Sequence, residues 1–267
     1  MDALVFNATT AALMVFMFKA GAALTGPDPL RRRRIPWAAV ALTAVAVGAV
    51  VLQLCWSGAM AALDADPARQ GWWRTVTSVF MQNGGLGGGG WNLATLAVMA
   101  AFAQWFWGGP AMLALFLTGI LLPERIDALL GQTSRSTDPR NFAGSSGATY
   151  FLGATLAAAL LLHGRHHEDG GQGRSGQRQD QLLALGVPAF GLILWFAQAN
   201  GHGLVSAYGF AVGVLAWFAL RHRLQPERSL RRPATTTTAA AAATAAAGQA
   251  TEHPPTGPAT NPARQGG

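Results

Sequence analysis

Between Ile35 and Trp56 the chain runs for 22 residues with Gln53 as the only strongly polar side chain. So long an apolar run can satisfy its backbone inside a bilayer only as a helix that crosses it. Four consecutive arginines, Arg31 to Arg34, stand directly before it. Arginines of this kind stay on the cytoplasmic side, so they hold that end of the helix inside and set the orientation of every later span. The composition agrees, because 51% hydrophobic and 12% charged residues make the chain too apolar for an ordinary soluble domain. A net charge of +7 could indicate nucleic acid as a partner. The arginines, however, cluster beside apolar runs instead of covering a domain face, so topology accounts for them and no nucleic acid is expected. Cys55 is the one cysteine, which excludes an internal disulfide framework and a cysteine-built metal centre.

Five further runs follow: about Trp91 to Trp107, about Ala111 to Leu122 with a helical continuation through residues 126–130, about Ser145 to Leu162, Gln181 to Gln198, and about His202 to Leu220. Arg165, Arg174 and Arg178 fall in the loop before the fifth span, and Arg221 and Arg223 follow the sixth. All the clusters fit one six-span, all-α membrane topology with a cytoplasmic C-terminus, in the cell membrane. Residues 1–30 form a separate apolar N-terminal segment, an interfacial helix or an extra span, apolar from 3 to 18 apart from Asn7, Thr9 and Thr10. Residues 31–224 make the six-span domain. Residues 225–267 are rich in Ala, Thr and Pro and read as a disordered cytoplasmic tail. Three histidines, His163, His166 and His167, sit in a Gly-rich hydrophilic loop and read as solvated, so no metal ligand is assigned.

Residues 57–90 read as a long outer connection lying partly in the membrane surface, with Trp72 and Trp73 at the water–lipid boundary. It ends in Gly84-Gly-Leu-Gly-Gly-Gly-Gly90, which no Lys-Ser/Thr follows, so it is not a phosphate loop.

Asn141-Phe-Ala-Gly-Ser-Ser-Gly-Ala-Thr-Tyr150 places a serine at the head of the fourth span. Unpaired backbone N–H groups and the positive end of the helix dipole favour a developing oxyanion there. The fourth and sixth spans both start outside and run parallel, so Ser146 and His202 are expected at similar depth if the helices are neighbours. Ser146, Tyr150, Gly153 and Ala157 repeat at the spacing of His202, Ser206, Gly209 and Gly213, and these two stripes are expected to face each other through their small residues.

With those residues in view, residues 35 to 221 resemble the rhomboid intramembrane serine proteases. Gly144-Ser-Ser146-Gly147 is similar to the family's Gly-x-Ser-Gly, which implies Ser146 as nucleophile. Ala199-Asn-Gly-His202 resembles the opening of the last core helix, which implies His202 as base. Asn92 matches the family's oxyanion asparagine, Tyr150 its tyrosine packed on the histidine, and Trp73-Arg74 its outer-loop Trp-Arg. Two family histidines are replaced, by Gln82 and Gly88, and the family's histidine position before Gly-x-x-x-Gly is held by Ser206, one turn below His202.

The resemblance implies a six-helix rhomboid-like bundle that cleaves single-span membrane proteins near the outer face of the lipid bilayer, with no cofactor. Ser146 would attack with His202 as base, while Asn92, Tyr150 and Gly144 would support the oxyanion and the imidazole. The alternative is a catalytically inactive rhomboid-like protein that binds membrane clients. A transporter ranks third, because the spans hold no buried carboxylate and no broken-helix repeat.

Overall fold

The computed structural model describes residues 3–26, 34–66, 71–82, 85–129, 144–164 and 174–224. The chain divides into Met1–Leu224 and Gln225–Gly267, and every described residue lies in the first unit. The expectation of a disordered tail, and those made for His166, His167 and residues 131–143, fall outside the described residues.

Among the described residues the structure is helical and holds no strand. The long helices are α1 (Ala3–Thr25), α2 (Trp37–Cys55), α5 (Gly85–Trp107), α6 (Gly109–Leu129), α7 (Ser146–Gly164), α8 (Arg174–Gln198) and α9 (Gly201–Leu224). Between α2 and α5 lie the short helices α3 (Ala59–Leu63) and α4 (Trp73–Thr77), followed by a 3-10 turn at Ser78–Phe80. Five stretches are long and apolar enough to cross a membrane: Leu4–Thr25, Trp37–Cys55, Ser146–His163, Gly176–Gln198 and Gly201–Arg223. In α6 the apolar stretch, Gly109–Pro123, is shorter. Large apolar side chains such as Val45, Val51, Leu117, Ile193, Phe196 and Leu215 are exposed along these helices. An apolar outer surface of this kind suits lipid and not water, as in a multi-pass membrane protein.

The N-terminal segment is longer than its apolar run suggests and is built into the bundle. Its helix carries through Lys19, whose side chain is exposed, while Leu13, Met14, Met17 and Ala20 are fully buried. Gly153 of α7 admits Met17 of α1 so closely that a Cβ there would stand 2.7 Å from the methionine sulfur. One stripe of this helix therefore lies inside the core of the bundle.

The centre of the bundle is α7. In its apolar stretch 78% of residues are buried, against 17–28% for the other four membrane-length helices. Alanines at 154, 157, 158 and 159 let neighbours approach it from all sides, and close van der Waals contact is what joins helices that lipid surrounds. The neighbour α9 crosses it through Gly209 and Gly213. A Cβ at Gly209 would run into the backbone of Phe151, and one at Gly213 would stand 2.6 Å from Thr155 Cα and 2.9 Å from Ala158 Cβ.

This crossing corrects the expected facing stripes. The face of α7 that meets α9 is Phe151, Thr155 and Ala158, whereas Gly153 points at α1. The offset is one residue, which on a helix is about 100° of rotation. The α9 glycines pack against the backbone of Phe151 and Thr155, so the small residues of α7 itself do not mark the face toward α9.

The glycine-rich run is also not a loop. From Gly85 it forms the first turns of α5, six residues before the expected start at Trp91. Glycine is a poor helix former in water. Here Gly89 is buried against Gln82, and a Cβ on it would make an ordinary contact, 3.5 Å from Gln82 Cβ.

Candidate functional site

The N-terminal ends of α5, α7 and α9 come to the same end of the bundle, joined there by the first turns of α1. Ser146 is the first residue of α7. Thr149 N–H donates to Ser145 O at 2.9 Å, so Ser145 is the cap and the amides just after it lack partners in the helix. Gly144 precedes the cap at φ +131, a conformation that favours glycine, and its N–H donates to Ser78 O at 3.0 Å.

What stands in front of Gly144 defines the site. A Cβ there would be 3.7 Å from Ser146 Oγ and 3.8 Å from Asn92 Nδ2. The hydroxyl and the amide therefore both border the small space that a side chain at 144 would occupy. A Cβ on neighbouring Gly147 would meet nothing within 4 Å, and Ser146 itself is half-buried.

Asn92 is held by a residue that sequence reading took only as a missing histidine. Its Nδ2 donates to Gln82 Oε1 at 2.9 Å, which leaves the second N–H of that amide available. Gln82 is buried and in turn fixed: its backbone N–H donates to Gln53 Oε1 at 2.9 Å, and its carbonyl accepts from Gln53 Nε2 at 2.7 Å. Gln53, the one strongly polar residue of its apolar run, thus ties α2 to the site. Its isolation in that run was the signal for it.

His202 is the second residue of α9, half-buried. Its ring packs edge-on against Tyr150, centroids 4.8 Å apart. Tyr150 OH donates to Thr10 O of α1 at 2.7 Å. Asn200 Oδ1 accepts from His202 N–H at 3.0 Å, capping α9, and lies 3.1 Å from His202 Nδ1. Asn200 Nδ2 donates to Thr10 Oγ1 at 2.8 Å. Thr10 and Asn200 were not foreseen as site residues. Their signals were a threonine inside an apolar run and an Asn-Gly ahead of a helix.

Of the residues singled out from sequence, Gly144, Ser146 and Asn92 share one gap, and Tyr150 and His202 share a ring contact. Among the described residues no hydrogen bond joins Ser146 to His202. Gly209 opposite Phe151 and Gly213 opposite Thr155 set a register that brings His202 level with Gly144, two residues or roughly 3 Å beyond Ser146 along the axis. Ser206, a turn lower, is fully buried, donates to His202 O at 2.6 Å and faces Gly191 of α8.

The outer members of the expected set have structural roles. Arg74 Nη1 bonds Ala61 O at 3.2 Å, Asp64 O at 3.1 Å and Asp64 Oδ1 at 3.3 Å, which pins α4 to α3. Trp73 is exposed beside it. His163 belongs to α7, not to a solvated loop, and its ring packs edge-on against Phe106 and Trp217.

Compared with protein-family models, curated proteins and solved structures, the chain gives no match.

Proposed function

We propose that this chain is an intramembrane serine endopeptidase of the rhomboid type, resident in the cell membrane with its C-terminus in the cytoplasm. The observation that carries the reading is the small space in front of Gly144, which both Ser146 Oγ and Asn92 Nδ2 border. A carbonyl seated there meets a nucleophile at its carbon and a donor at its oxygen, the arrangement acyl transfer requires. Its substrates are single-span proteins whose helix loosens near the outer face, where a peptide bond leaves its helical hydrogen bonds and enters the gap.

In this mechanism Ser146 Oγ forms a bond to the scissile carbon while its proton passes to His202. The carbonyl oxygen takes the negative charge and is met by Asn92 Nδ2–H and by the free amides at the head of α7. The imidazolium then protonates the departing amine as the C–N bond breaks, leaving an acyl-serine. Water repeats the sequence to release the acid. The hydroxyl and imidazole are not hydrogen-bonded to each other, and catalytic contacts of this kind commonly tighten when substrate binds.

The separation of Ser146 from His202 supports a second reading, a rhomboid-like protein that holds membrane clients without cutting them. A fluorophosphonate probe separates the two. Labelling at Ser146 in reconstituted protein, lost in His202→Ala, together with cleavage of a single-span substrate that Ser146→Ala abolishes, is the expected result. Client binding with neither labelling nor cleavage would overturn the peptidase reading.

A further inference from the structure

We infer that Asn200 fixes the imidazole of His202 in the tautomer protonated at Nδ1, with Thr10 of the N-terminal helix as the clamp on Asn200. Two contacts set the orientation of the Asn200 amide independently. The backbone N–H of His202 can only donate, so the Asn200 atom 3.0 Å from it is the carbonyl oxygen. Thr10 Oγ1 donates its proton to Phe6 O at 2.7 Å, so it presents a lone pair to Asn200 and must be met by the amide nitrogen at 2.8 Å. Both arguments point Oδ1 toward the imidazole.

The consequence for the ring follows directly. His202 Nδ1 lies 3.1 Å from that same oxygen, which can only accept, so Nδ1 carries the hydrogen. The neutral ring then has its lone pair on Nε2, the nitrogen turned away from Asn200, and this is the form in which a histidine serves as a general base. Asn200 is fully buried, and Tyr150 packs on the ring while hydrogen-bonded to Thr10 O. One residue of α1 thus anchors both side chains that hold the imidazole. Asn200 and Thr10 are positioning residues, and their effect on turnover rests on the peptidase reading, whereas the tautomer does not.

The test uses full-length protein in nanodiscs, labelled with 15N at histidine, with His202→Gln to assign the signal. Ring nitrogen shifts should show Nδ1 protonated in the wild type and in Asn200→Asp, which keeps an acceptor. In Asn200→Ala and Thr10→Val the Nε2-protonated form should rise. Fluorophosphonate labelling of Ser146 should slow at least ~10-fold in Asn200→Ala and recover in Asn200→Asp, well short of the ~10⁴-fold that a wrong tautomer costs in a serine protease triad. An Nε2-protonated ring in the wild type, or a ring unchanged in both Asn200→Ala and Thr10→Val, would overturn the inference. A wild type protonated at Nδ1 but never labelled would sink the peptidase reading and leave this inference standing.

Discussion

The ring of Tyr150 meets the imidazole of His202 edge-on, at 4.8 Å between centroids and 61° between planes. Tyr150 lies one turn below Ser146 on α7, so this contact carries the position of α9 into the head of the helix that bears the hydroxyl. Replacing Tyr150 by Phe keeps the edge contact and removes only the bond to Thr10 O, a change worth about 0.5–1.5 kcal/mol. Labelling of Ser146 by a fluorophosphonate should therefore fall less in Tyr150→Phe than in Tyr150→Ala, which also deletes the ring. Equal losses would show that the ring contact is unimportant.

Gly144→Ala places a methyl in the gap between Ser146 Oγ and Asn92 Nδ2 and demands a positive φ of an alanine. The backbone strain costs roughly 1–3 kcal/mol. The protein should stay folded while cleavage drops by ~10²-fold or more, as when an oxyanion donor is removed. Turnover near wild type in a folded Gly144→Ala protein would place the reacting carbonyl elsewhere.

Asn92→Ala isolates the amide itself. An interaction made only in the transition state shows in kcat with KM little changed, and the loss for one oxyanion donor is about 10²–10³. A rise in KM alone would mark Asn92 as a substrate-binding residue instead.

Packing makes a separate prediction. Gly213→Ala forces a Cβ to within 2.6 Å of Thr155 Cα, so α7 and α9 must part, at a cost of about 1–3 kcal/mol. Gly48→Ala is the control: nothing stands within 4 Å of its Cβ, and the helix gains about 0.5–1 kcal/mol from the better helix former. Thermal unfolding in detergent should move in opposite directions for the two variants.

Ala199 has φ +49, the one non-glycine with positive φ among the described residues, and it ends α8 with its N–H donating to Trp195 O at 2.8 Å. Glycine suits that left-handed turn better. Ala199→Gly should raise stability by about 0.5–1 kcal/mol, read as a higher midpoint of unfolding. A lower midpoint would mean that the alanine methyl contributes contacts outweighing its strain.

Four of the six expected spans, at Trp37–Cys55, Ser146–His163, Gly176–Gln198 and Gly201–Arg223, were legible because lipid demands uninterrupted apolar helices. Gly144, Ser146 and Asn92 were legible as types of residue at particular spacings, and the fold brings them to one gap. Tertiary choices were not legible. Which side of α7 faces α9 was missed by one residue because the α9 glycines pack on the backbone of Phe151 and Thr155, a contact that side-chain size on α7 does not announce. Gln82 looked like a loss, since a replaced histidine says nothing about what the replacement holds. Asn200 and Thr10 lie 190 residues apart, and only folding makes them a pair.

The depth of α7 within the bundle also bears on biogenesis. It is synthesised before α8 and α9, two of the helices that cover it, yet it carries Ser145, Thr149 and Thr155, all with side chains shut away from the surface in the finished protein. Until α8 and α9 are made, the flank of α7 that they cover has no helix packed on it. A protein truncated after α7 should accordingly be degraded faster than one that lacks only the residues beyond α9.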